Sequence, residues 1–177
     1  MSGWRIAFNR TLFVITAALC ITIPLITLDY SVDRVLPPDL FYALCVSWII
    51  RQDKTANMPL VIIMALLADF VLMRPVGLGA LLILVTTEIA RNNARVLRDQ
   101  GFILEWLAVS IGFGLMMLVQ NLLLTFAFAN RVALSDIGQI SLSTILCYPF
   151  MSAFLYYVLR IRHGAGRLRI NRLGRVA

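Results

Sequence analysis

The sequence predicts an all-α, polytopic membrane protein of six transmembrane helices with both termini in the cytoplasm. Three observations carry that prediction. Hydrophobic residues fill 60% of the 177 positions and the mean hydropathy is +0.86, whereas soluble domains hold roughly 45–50% apolar residues. Apolar runs succeed one another along nearly the whole chain, which leaves no stretch for a soluble catalytic domain. The basic residues stand at the ends of those runs, where membrane-topology signals belong. One membrane domain over residues 1–160 and a basic cytoplasmic tail over 161–177 follow from this layout.

The N-terminal MSGWRIAFNR is basic and precedes the first apolar run, Thr11–Leu28. No small-x-small cleavage pattern closes that run, since Pro24, Asp29 and Tyr30 stand where one is needed, so it is read as a retained first helix. Pro24 is expected to kink its exit. A polar loop with Asp29, Asp33 and Arg34 leads to Pro37-Pro38-Asp39. Proline in a first turn beside an acid is a helix start, because the anion suits the positive end of the helix dipole. The helix so started, Leu40–Ile50, is short enough to be a re-entrant arm instead of a span. The third and fourth spans run from Met58 to Met73 and from Val76 to Ala90, and the polar Arg91–Gln100 extends the fourth helix into the cytoplasm. Phe102–Ala129 is the fifth span, and Asp136–Leu159, with Pro149 inside it, is the sixth. Several of these are short for a hydrocarbon core of about 30 Å, which calls for helix tilt, local thinning of the bilayer, or partners.

Charge counting decides between five spans and six. With six, the cytoplasmic segments hold Arg5, Arg10, Arg51, Lys54, Arg91, Arg95, Arg98 and the six arginines from Arg160 to Arg175, thirteen of the 16 basic residues. Only Arg34, Arg74 and Arg131 remain outside. Five spans would export either the arginine tail or the N-terminal pair, against the positive-inside rule. The same distribution accounts for the formal charge of +7 without nucleic acid, and leaves the tail, His163 included, to lie on anionic headgroups. One histidine and no Cys-x-x-Cys pair give no metal site, and Cys20, Cys45 and Cys147 read as small buried hydrophobes. No cofactor is expected.

The chemistry-bearing stretch is Ala65–Ala80, ALLADFVLMRPVGLGA. It sets Asp69 inside an apolar run, one helical turn before Arg74-Pro75-Val76-Gly77, at a turn on the outer side. A buried acid in lipid must be compensated. The functional readings are an ion or proton relay, a substrate ligand, or a partner-binding charge; the structural ones are a pair with Arg74, or a cap on the backbone amides after Pro75. Gly77 and Gly79 suit close backbone approach of neighbouring helices. A phosphate loop is excluded, because no strand precedes and no Gly-Lys-Ser follows. Further along, Glu88, Arg91, Asn92 and Arg95 share a helix face, either an ion-paired interfacial face or a dock for a cytoplasmic partner. Glu105-Trp106 opens the next span facing that region, with Trp106 as an interface anchor. At least one of Gln120 and Asn121 is expected to hydrogen-bond to another helix, and Gly112 and Gly114 suggest a close crossing. No nucleophile elbow, His-Glu-x-x-His or acid-rich phosphotransfer cluster is present, so the chain reads as a non-enzyme.

Taken together, Pro38-Asp39-Leu40, Trp48 closing the second helix, Asp69, and Arg74-Pro75-Val76-Gly77 resemble the MreD family of rod shape-determining membrane proteins. The match covers Val35–Ala90 by motif and the rest by hydropathy, length and basic ends. The resemblance implies a non-enzymatic subunit of the bacterial elongation machinery in the inner membrane, scaffolding peptidoglycan synthesis and cell shape. MreC would be the principal partner, with RodA, the class B penicillin-binding transpeptidase and MreB as complex members. Six short helices are also similar to the substrate-binding subunits of energy-coupling-factor vitamin transporters, an analogy of fold only; a small-molecule transporter subunit is the alternative function. A purely electrostatic role for Asp69 predicts that Asp69→Asn harms assembly or stability more than Asp69→Glu, which paired expression of the two variants measures.

Overall fold

The computed structural model describes residues 3–27, 36–52, 55–127 and 133–157. Six helices account for most of them: α1 (Gly3–Thr27), α2 (Leu40–Arg51), α3 (Met58–Val71), α4 (Leu78–Asp99), α5 (Phe102–Phe126) and α6 (Leu134–Tyr157). No strand occurs among the described residues. Three helices, over Ile6–Leu25, Phe102–Phe126 and Leu134–Tyr157, are long and apolar enough to cross a membrane, while α2 and α3 are shorter apolar helices. The Asp29–Arg34 loop, Lys54, Arg131, Leu159 and the tail with His163 lie outside the described residues.

The short second helix is the centre of the fold. It packs against α1, α4 and α6; α3 lies on α1 and α4, and α5 bridges α4 and α6. Every side chain from Phe41 to Arg51 is buried. The sequence permits this because most of these residues are apolar and the polar groups of the others find partners. The Ser47 hydroxyl, for instance, donates back to the Ala43 carbonyl at 2.6 Å, the usual refuge of a serine inside a helix. Trp48 is fully enclosed, edge-on to Phe13 of α1 with ring centroids 5.2 Å apart, and its Nε1 donates to Thr55 Oγ1 at 2.9 Å. Tyr42 packs on Phe113 of α5 and donates its hydroxyl to the Val109 carbonyl at 3.2 Å.

One helix end differs from the sequence expectation and another meets it. The first helix begins at Gly3, through the basic N-terminal segment. The fourth continues to Asp99, since RNNARVLRD holds good helix formers once its apolar face is anchored. The anchor includes Arg91, whose Nη2 donates to the Ala56 carbonyl at 2.9 Å.

One expectation for charged residues is corrected, through a pair that the sequence did not name. Arg51, counted among the basic residues at helix ends, is 4% exposed and its Nη1 lies 3.3 Å from Glu105 Oε1, itself 3% exposed. Glu105 therefore faces α2 instead of Glu88 and Arg91. The same Oε1 accepts from the Tyr148 hydroxyl at 2.6 Å. Arg51 also donates to the Ser47 carbonyl at 2.9 Å and to Ser152 Oγ. The C-terminal end of α2 is thereby tied to α5 and α6 through one buried cation. Trp106 is half-buried and donates to the Ile145 carbonyl of α6 at 2.9 Å. Gln120 Oε1 and Asn121 Oδ1 are both buried without a hydrogen-bond partner among the described residues, so the expected bond between helices is not made there. Gly112 faces the Tyr42 hydroxyl, whereas Gly114 faces open space.

Breaking one side of a buried ion pair strands the other charge, at a cost of about 3–5 kcal/mol, whereas replacing both members by apolar residues of similar volume is often neutral. Glu105→Ala is therefore expected to lower the thermal midpoint of the detergent-purified protein sharply. The double replacement Arg51→Met with Glu105→Leu is expected to recover most of that loss, as measured by unfolding monitored through size-exclusion fluorescence.

Candidate functional site

The residues singled out by the sequence converge where α2 begins and where α3 turns into α4. Asp39 is the N-cap of α2, and its Oδ1 accepts from the Tyr42 amide at 3.0 Å, the third helical position, where such a cap belongs. Its own amide donates to Thr144 Oγ1 of α6 at 2.9 Å. Its second oxygen accepts from Arg74 Nη1 at 2.9 Å. Pro38, just before, offers its carbonyl to the Leu40 amide at 3.0 Å. The start of the central helix is thus held to α6 on one side and to the α3–α4 turn on the other.

The turn is built by sequence-local chemistry. The Arg74 amide donates to the Asp69 carbonyl at 3.0 Å, and the Leu78 amide to the Pro75 carbonyl at 3.2 Å. Gly77 sits at φ +93°, a left-handed conformation that costs a residue with a Cβ about 1–2 kcal/mol. As the N-cap of α4 it carries no side chain to receive the first amides of that helix. Asp69 supplies the missing acceptor from α3: its Oδ2 takes the Gly77 amide at 3.0 Å and the Ala80 amide at 2.9 Å. These are the N-cap and third-position amides that a capping box satisfies with two side chains. Here one carboxylate satisfies both, and its negative charge lies at the positive end of the α4 dipole.

Of the two structural readings of Asp69, the geometry selects the cap and not the ion pair. Arg74 reaches Asp39 instead, because the chain reverses at Pro75 and turns the guanidinium toward the start of α2. Desolvation by burial pulls the Arg74 guanidinium down. The charge of Asp39, its hydrogen bond and the charge of Asp69 outweigh that and hold Arg74 above its ordinary value.

Gly79 is explained by contact instead of conformation. A Cβ built there would collide with Asp69 Oδ1, so the carboxylate fills the space that any side chain at position 79 needs. Asp69 itself is 1% exposed.

The remaining candidates lie elsewhere. Trp48 is near the opposite end of α2, within the packed core. Glu88 and Arg91 form an i,i+3 pair at 3.2 Å on α4, partly open to the surroundings. Among the described residues no group of three or more metal-ligating side chains comes together. A small cavity of about 10 Å³, bounded by Tyr42, Ser110, Thr144 and Tyr148 among others, has room for one water.

Sequence reasoning missed Thr144, Tyr148 and Ser152, hydroxyl residues in an apolar helix whose partners come from 43 to 105 positions away. A signal was present in Glu105, an acid set just inside a long apolar run, which demands buried partners. Comparisons of the chain with protein-family models, with curated proteins and with solved structures return no match.

The contact between Asp69 and Gly79 reverses the electrostatic expectation for substitutions. The Asp69→Glu replacement would carry the carboxylate one methylene further into a space already closed by Gly79. The Asp69→Asn replacement keeps one oxygen in place and loses the charge, worth about 1.5–3 kcal/mol across its hydrogen bonds. Thermal midpoints are expected in the order wild type, Asp69→Asn, then Asp69→Glu, with Gly79→Ala as low as the last.

Proposed function

We propose that this chain is a six-span inner-membrane scaffold of the MreD type, with both termini cytoplasmic, which binds MreC and through it joins RodA, the class B penicillin-binding transpeptidase and MreB in cell-wall elongation. The observation that carries the reading is that the residues of the resemblance, Trp48 excepted, form one physical unit. Asp39 after Pro38, Asp69, Arg74 and Gly77 are joined by hydrogen bonds of 2.9–3.0 Å, and Pro75 makes the turn between them. Scattered matches in an apolar sequence have no reason to meet. A motif that builds a corner does.

The chemistry of that corner supports a scaffold. Both oxygens of Asp39 and the capping oxygen of Asp69 are committed to holding helix starts, so the two acids serve shape. Catalysis and transport need groups free to change partners. The alternative, a small-molecule transporter subunit, needs a cavity at Asp69. There the carboxylate is enclosed by two amides and by Gly79, and vitamin-sized ligands require several hundred cubic ångströms. Positive-inside charge placement supports the orientation, with the Arg74 corner on the outer side.

Affinity purification of the tagged protein from detergent-solubilised membranes is expected to recover MreC at a fixed ratio. Asp39→Ala with Arg74→Ala, which loosens the corner without leaving a lone charge, is expected to reduce that recovery several-fold at equal expression. Repeated absence of MreC from the wild-type preparation overturns the proposal.

A further inference from the structure

The apolar surface of this protein has two heights. α5 and α6 have 25 and 24 residues, about 36–38 Å at 1.5 Å per residue. α3 has 14 residues, about 21 Å on the same rise. α4 is longer, but its apolar part gives way at Thr86-Thr87-Glu88, with Glu88 42% exposed, before Arg91 and Asn92 begin. The hydrogen bond from Arg91 to the Ala56 carbonyl at 2.9 Å holds the polar end of that wall level with the start of α3. At its other end the turn points apolar side chains outward: Met73 is 93% exposed and Val76 66%. Arg74, the one charged residue of the turn, is folded back onto Asp39. Met73 takes the left-handed conformation, φ +53°, a strained backbone for a side chain that then touches little of the protein.

We propose that the α3–α4 wall is a low lipid-facing wall at which the bilayer's hydrocarbon core thins to about 20–25 Å, with Met73 and Val76 seated among the acyl chains. The α5–α6 side holds the core at its full thickness. The inference rests on the membrane reading above and adds a place and a magnitude to it. Tilt fits a long helix to a thin core but cannot stretch a short one, so the mismatch is relieved on the α3–α4 side by the lipid. The outward residues of that wall favour lipid over another helix. Ile63, Leu66 and Phe70 on α3 and Leu81, Val85 and Ile89 on α4 are all exposed and bulky, whereas helix contacts in membranes favour small residues. The small ones here, Ala65, Ala68 and Ala80, are turned inward and buried.

The test is a depth profile of the full-length protein in vesicles of dioleoyl phosphatidylcholine and phosphatidylglycerol. Cys147 is replaced by alanine, while Cys20 and Cys45 are buried and stay as unlabelled native thiols. Single cysteines replace exposed residues that the fold does not need: Ile63, Phe70, Met73 and Val85 on one side, Ile103, Ile111 and Leu122 on the other. Each carries a nitroxide whose collisions with oxygen and with a water-soluble nickel chelate are measured. The expected result is a Met73 label reached by oxygen and shielded from nickel. The distance between the two lipid–water crossings should be about 5–10 Å shorter along α3–α4 than along α5. A Met73 label reached freely by nickel, equal crossings on both sides, or α3–α4 labels closed to both reagents, as a second copy or a partner helix would make them, overturns the proposal. Labels on α5 reached by nickel throughout would instead overturn the membrane reading itself.

Discussion

A helix whose side chains are buried from Phe41 to Arg51 must carry its end charges into the interior, and that constraint organises this molecule. α2 has an acid at its start and a base at its finish, which suits its dipole, but each charge is enclosed and must be matched from elsewhere in the chain. Asp39 finds Arg74, and Arg51 finds Glu105. The two pairs fix how far α2 sits along its axis, because sliding it by one turn, about 5.4 Å, would strand both charges at once. Between the ends, packing on α1, α4 and α6 is apolar and by itself indifferent to such a shift. In lipid, whose tails are as apolar as leucine, apolar burial gives little preference between inside and outside. The polar ends then specify the arrangement.

The corner at Asp69 extends the same logic to α4. A helix start needs its first amides satisfied, and a left-handed glycine at the N-cap cannot do this. The carboxylate of the preceding helix does it instead, so α3 and α4 are coupled by the cap as well as by their side-chain contacts. Gly79 is then obligatory for room and Gly77 for conformation, two glycines with different reasons. Since Arg74 leaves the same turn to reach Asp39, the start of α2, the end of α3 and the start of α4 form one continuous hydrogen-bonded unit. A partner touching the outer face of that unit would meet a surface whose backbone is already held, which lowers the entropy lost on binding.

Length divides the helices into two groups, and the division has a physical consequence. The long helices α1, α5 and α6 supply surface that matches a bilayer, whereas α2 needs no lipid contact and α3 with the apolar part of α4 offers less than a bilayer's height. The short helices α2 and α3 meet the start of α4 at the corner. Closeness there follows from the capping geometry, which sets the start of α4 against the carboxylate of α3.

Much of this was legible in the sequence. Composition and apolar runs pointed to an all-helical chain, because five of the six described helices are strongly apolar and α4 alone carries a long polar end, from Arg91 to Asp99. Pro38-Asp39 marked the start of α2 and Arg74-Pro75-x-Gly77 marked a turn, since capping and left-handed backbone depend on residue type within a few positions. Asp69 was visible as a buried acid needing compensation, and its two structural partners were both nameable. Which partner it takes was decided only in three dimensions: Asp39, 35 positions from Arg74, had to arrive before the arginine could leave Asp69 to the amides. The same holds for Arg51, whose partner Glu105 stands 54 residues on and is named by no local spacing. Local capping chemistry is written in adjacent residues, but the pairing of buried charges depends on which helices the fold makes neighbours, and no spacing along the chain encodes that.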